Sequence, residues 1–119
     1  MAHLIPQPLR ERRVAGRLQV NLPARYASEA IAVVGGVANL SRNGLFLRSE
    51  FLDDAGGEVS ISFELPGEAQ PVALRGRVLR VHDDALCPGM AIRFTQVPDG
   101  ARRKLAMFMR KRQHIAAHP

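Results

Sequence analysis

Apolar and polar residues alternate at period two over most of this chain, and the spacing becomes helical only near the C-terminus. Leu18-Gln19-Val20-Asn21-Leu22 sets apolar side chains on one side of an extended segment and polar ones on the other, which predicts a half-buried strand. Pro23 is compatible with that strand at a sheet edge, and Arg25-Tyr26-Ala27 continues it. A second apolar run spans Ile31 to Ala38, where Gly35-Gly36 suggests a bulge or bend. Gly44 to Arg48 is short and rich in large apolar residues. Val59 to Leu65 alternates cleanly and is closed by a turn at Pro66-Gly67. Val72 to Val81 is the longest strand candidate, and Gly89 to Thr95 the last. Beyond Pro98 or Asp99, Ala101, Leu105, Phe108 and Met109 recur at helical spacing through His114, with Arg102, Arg103, Lys104, Arg110, Lys111 and Arg112 on the other face.

Short strands separated by turn signals argue for a closed or sandwiched antiparallel sheet. The expected fold class is all-β with one C-terminal helix. The chain divides into an N-terminal arm over residues 1–12, one domain over 13–113 carrying a helix at about 99–114, and a tail over 115–119. With 119 residues, such a domain buries roughly two-thirds of its unfolded surface and needs neither disulfide nor metal to fold. Cys87 is the sole cysteine, so no internal disulfide forms, which suits a reducing compartment. Leu4-Ile5-Pro6 is too short and broken for a secretory leader, and no stretch has the length of a membrane span. A cytoplasmic location without membrane insertion is expected.

The net charge is +6, and every basic residue except Lys104 and Lys111 is arginine. Guanidinium groups grip phosphate bidentately and stack on bases, so an anionic partner is expected. Catalysis is not. His3, His82, His114 and His118 are scattered, no metal-ligand spacing appears, and no cofactor is implied. Asp53-Asp54 and Asp83-Asp84 lie in turn-like contexts and read as solvated. Gly35-Gly36 and Gly56-Gly57 lack the lysine and following helix of a phosphate-cradling loop.

Two segments carry the candidate chemistry. Arg12-Arg13-Val14-Ala15-Gly16-Arg17 spaces Arg13 and Arg17 four apart, so that both guanidinium groups can converge on a phosphate or on a guanine O6/N7 edge if the segment curls over a ligand. Taken alone it is also a plain solvated basic arm. Asn39-Leu40-Ser41-Arg42-Asn43-Gly44 sets an amide and a hydroxyl on one face of an extended stretch just before a turn. Alone, it reads equally as a hairpin turn in which Ser41 is the cap and Gly44 takes positive φ.

In combination the two resemble the PilZ domain family, whose signature is Arg-x-x-x-Arg followed by Asp/Asn-x-Ser-x-x-Gly. Gly89-Met90-Ala91-Ile92-Arg93-Phe94 is similar to that family's Gly-Met-Gly-Val-x-Phe strand, with Ala91 in place of the usual glycine. The resemblance covers about residues 10–113. It implies a six-stranded antiparallel β-barrel with a C-terminal helix, and binding of the bacterial second messenger cyclic di-GMP. Carried over residue by residue, Arg13 and Arg17 hold guanine edges and phosphates, Asn39 and Ser41 bind a guanine and its neighbouring phosphate, and Gly44 permits the turn. Arg12, just before the first signature arginine, accompanies a stacked pair of ligands in this family.

Charge-assisted hydrogen bonds from these groups, less the cost of ordering the arm, amount to about 8 kcal/mol, or micromolar binding. The implied role is an adaptor: ligand pins the arm and so covers or creates a surface for an effector protein, in motility, exopolysaccharide or biofilm control. Two alternatives remain. One is a small basic barrel that binds nucleic acid, which the scarcity of aromatics (five Phe, one Tyr, no Trp) disfavours. The other is an interaction module that has lost the ligand.

Overall fold

The computed structural model describes the backbone of residues 16–117 and side chains as far as Arg112. Arg12 and Arg13 lie outside the described residues. Six strands follow in order: β1 (Leu18–Ala27), β2 (Ala32–Leu40), β3 (Gly44–Arg48), β4 (Glu58–Phe63), β5 (Val72–His82) and β6 (Gly89–Gln96). All neighbouring pairs are antiparallel, in the order β1-β2-β3-β6-β5-β4, and β4 pairs back onto β1 to close a barrel. Helix α1 (Asp99–Ala117) follows. This is the six-stranded barrel with a C-terminal helix that the sequence pattern and the resemblance lead one to expect.

The barrel closes, yet β4 lies beside β1 only over Ala24–Ala27, so Pro23 has a strand partner on one side alone and occupies a locally edge-like position. The last β1–β4 pair is Ala24↔Phe63, and beyond it Pro23 offers only its carbonyl, which accepts Glu64 N–H at 3.2 Å. The missing proline N–H therefore falls where pairing stops. Nor does Gly35-Gly36 form the bulge: both residues pair in register with β1, and the irregularity lies further on, between Val37 and Asn39. The Pro66-Gly67 turn forms as expected, with Gly67 at φ 84° and Glu68 N–H donating to Leu65 C=O at 3.1 Å.

The inward residues of all six strands make one core, in which Tyr26, Phe63, Leu40, Leu47, Met90 and Ile92 are essentially inaccessible. The helix adds Ala101, Leu105 and Met109 to that cluster, with Phe108 partly buried against it. Asp99 occupies the first turn, where its charge suits the helix dipole. The helix runs to Ala117, past the 114 suggested by its apolar spacing, because no glycine or proline interrupts it between Gly100 and Pro119. Lys104 reaches Glu68 at 3.9 Å, and the Arg112 guanidinium lies 5.2 Å from the centre of the Phe108 ring.

Asp53 is not merely a solvated turn residue. Its Oδ2 accepts the hydroxyl of buried Tyr26 at 2.8 Å, which ties the β3–β4 connection to the core. A buried phenol needs such an acceptor. Hydrogen bonds from the Ser28 and Tyr26 hydroxyls hold the Asp53 carboxyl below its ordinary value. Burial, and then the bond to Asp53, push the Tyr26 phenol up.

Candidate functional site

The chemistry-bearing face is built by cross-strand register. At one level of the outer surface, Gln19 of β1 pairs with Asn39 of β2, Asn39 with Phe46 of β3, Phe46 with Ala91 of β6, and Ala91 with Arg80 of β5. At the next level Gly44 pairs with Arg93, and Arg93 with Arg77. A groove of about 800 Å³ runs over these rows, within the range of small-molecule sites. Its lining includes Arg17, Asn39, Ser41, Gly44, Arg80 and Arg93.

Two residues reach this face through bulges. Val37 points inward, so strict alternation would turn Asn39 inward as well. Ala38 is an extra residue, with no counterpart between Leu47 and Phe46 on β3, and it reverses the phase. Asn39 consequently faces out while Leu40 returns to the core. The same happens on β5. Val78 is buried, Leu79 is extra relative to Ile92 and Ala91 on β6, and Arg80 faces out.

Ser41 shapes the corner. Its Oγ accepts N–H bonds from Asn43 at 3.3 Å and Gly44 at 3.1 Å and donates to Gly44 C=O at 3.1 Å, while Ser41 N–H also donates to Gly44 C=O at 2.9 Å. The hydroxyl is thus engaged by the turn it caps. Gly44 does not take positive φ; among the described residues only Gly56 and Gly67 do. Its requirement is space, because a Cβ there would run into the Ile92 carbonyl oxygen of β6. The same close approach recurs at Gly89, where a Cβ would come 2.5 Å from the Phe46 ring. The ring leans over Gly89 and meets His82 edge-on, with centroids 5.3 Å apart and planes at 83°. The Ala91 methyl is then left as groove floor.

Of the residues singled out from sequence, the fold brings Arg17, Asn39, Ser41 and Gly44 to one groove, while Arg12 and Arg13 are outside the described residues. Arg80, Arg93, Phe46 and His82 join that groove without having been singled out. The signal that could have found Arg80 is the charge at a position where alternation predicts core, which is how a bulge shows itself in sequence. Base-stacking platforms are scarce: Tyr26 and Phe63 are buried, Phe46, Phe94 and Phe108 are half-buried, and Phe51 is exposed. Among the described residues, no three His, Cys, Asp or Glu side chains gather as a metal site, and no helix is long and apolar enough to cross a membrane.

A family model for the PilZ domain matches residues 11–111. No curated protein matches the chain significantly by sequence. Among solved structures, the chain is similar to the Bacillus subtilis inhibitor of motility MotI/DgrA, with a TM-score of 0.71 and 17% identity over 82% of this chain and 49% of that one. The chain thus spans about half the length of that relative. It is also similar to the PilZ domain of CeSA from a cellulose-synthesizing bacterium (TM-score 0.60, 20% identity, 82% of this chain and 98% of that one). A third similar structure is the PilZ domain of YcgR from Escherichia coli with cyclic di-GMP (TM-score 0.61, 14% identity, 87% and 95%). At these identities the structural likeness speaks to the fold.

Proposed function

The chain belongs to the PilZ domain family, and from that membership we propose that it is a cyclic di-GMP receptor acting as an adaptor. The observation that carries this reading is the convergence of Arg17, from one signature segment, with Asn39, Ser41 and Gly44, from the other, on one groove. The ligand is a compact dianion with two purine faces. Arginine forks suit its phosphates and its guanine O6/N7 edges, and the Asn39 amide can pair with a base edge. Arg13 and Arg12 complete the clamp from the arm, Arg12 by supporting a second, stacked ligand.

The output is a switch and not a reaction. Ligand draws the segment before β1 onto the barrel, and the rearranged surface is read by an effector protein in the cytoplasm. Motility, surface polysaccharide or biofilm control is the output that fits the family. Isothermal titration of the full chain with cyclic di-GMP, with cyclic di-AMP and GTP as controls, tests this. The expected result is micromolar binding of cyclic di-GMP alone, with the stoichiometry reporting one ligand or two. No heat at high micromolar ligand overturns the reading. Steeply salt-dependent DNA or RNA binding, with no response to the dinucleotide, would put the nucleic-acid barrel in its place.

A further inference from the structure

The groove has two sides, and the signature residues account for one of them. Arg17, Asn39 and the Ser41–Gly44 turn come from the β1–β2–β3 side. Arg80 and Arg93 stand on the other, and among the described residues neither has an acidic side chain at ion-pair distance. The carboxylate in the lining, Asp84, accepts Leu86 N–H at 2.9 Å and so serves its own turn. Arg93 is moreover directly opposite Arg77, a like-charge pair that destabilises a sheet. Arg77 turns away to Gly56 C=O at 3.1 Å and Glu58 at 3.5 Å, leaving Arg93 with the groove. Such an arrangement is relieved by an anion.

Building on the cyclic di-GMP reading above, we propose that Arg80 and Arg93 form a second cationic wall that grips the ligand from the side opposite Arg17. The two have different tasks. Arg93 pairs across the ladder with Gly44, beside the turn that Ser41 caps, so its fork holds a phosphate lodged at that turn. Arg80 pairs with Ala91, whose small side chain floors the groove while the Phe46 ring leans away over Gly89. A purine standing over Ala91 meets the flat face of the Arg80 guanidinium and stacks on it. Three strand spacings, about 14 Å, separate Asn39 from Arg80, which leaves room for a cyclic dinucleotide between the walls. The Leu79 bulge thereby has a use: it gives up ladder regularity and turns Arg80 outward.

The test is titration of cyclic di-GMP into the full chain and its variants, with thermal melts to verify folding. Arg17→Ala and the parent protein report on the underlying reading; Arg80 and Arg93 report on the wall. Arg93→Ala and Arg80→Ala are each expected to weaken binding about tenfold. Arg93→Lys should fall between the parent and Arg93→Ala, since an ammonium keeps the charge on the phosphate but loses the fork, whereas Arg80→Lys should be as weak as Arg80→Ala, since it cannot stack. If the parent binds, Arg17→Ala does not, and both alanine variants at 80 and 93 bind as the parent does, the second wall is wrong and the receptor reading stands. Full binding by Arg80→Lys overturns the stacking role. A parent that gives no heat overturns both.

Discussion

Strand β5 carries two kinds of arginine, and the contrast between them separates scaffold from site. Toward its start, Arg75 and Arg77 share one carboxylate: Arg75 donates to Glu58 at 3.2 Å and to Ser60 at 3.1 Å, and Arg77 reaches Glu58 at 3.5 Å. These pairs are about half exposed, and such ion pairs contribute little. Beyond the bulge at Leu79, Arg80 faces the groove on the same side as Arg93 and across from Arg17, with no acid in reach among the described residues. The same side chain on the same strand is a partly compensated surface charge in one half and an uncompensated one in the other. Net charge alone cannot make that distinction; partner geometry does.

The largest effect expected is on the uncompensated side. Arg17→Ala, and likewise Arg13→Ala, should weaken cyclic di-GMP binding at least tenfold, about 1.4 kcal/mol or more, by titration calorimetry. Arg75→Ala should bind as the parent does, and equal losses at positions 75 and 17 would erase the contrast. Next, Gly89→Ala places a methyl against the Leu47 carbonyl and the Phe46 ring. It should cost about 1–3 kcal/mol in denaturant unfolding and disturb binding through the displaced ring.

Tyr26→Phe removes a hydrogen bond remote from the groove. It should cost about 1 kcal/mol of stability without affecting ligand affinity. The pair also sets a pH dependence. The folded carboxyl of Asp53 lies below its ordinary 3.8, so its contribution is present above that pH and is lost as pH falls through the lower folded value. The folded phenol of Tyr26 lies above its ordinary 10.0, so stability holds below that pH and falls as pH rises beyond it. Unfolding curves across both limbs should show Asp53→Asn flattening the acid side and Tyr26→Phe the alkaline side. Smallest of all, Glu58→Ala should cost under about 1 kcal/mol. It frees Arg75 and Arg77 yet should create no new ligand affinity; a gain in binding would mean that any unpaired arginine on this sheet suffices.

Much of this molecule is legible in its sequence. Alternation along β1, β4 and most of β5 needed no tertiary information, because one face of each strand is buried and period two is the direct record of that. The turn at Ser41–Gly44 and the helix stripe of Ala101, Leu105 and Met109 were equally plain. Local pattern misled where the reason for a residue is nonlocal. Gly44 looked like a positive-φ turn residue and instead makes room for the Ile92 carbonyl of a strand nearly fifty residues away. Asp53 looked solvated and is the acceptor for a buried phenol.

By itself the sequence determined which residues are inside, where the chain turns, and that guanidinium groups precede a polar turn at the PilZ spacing. Side-chain polarity records burial directly, so those features can be read along the chain. Only the tertiary structure decided that Asn39 and Arg80 face outward together, and that Arg93 stands at the same groove. A bulge inserts one residue and reverses every later side chain, and the β3–β6 pairing brings strands from opposite halves of the chain side by side. Both are properties of backbone pairing, which the polarity of a single strand does not encode.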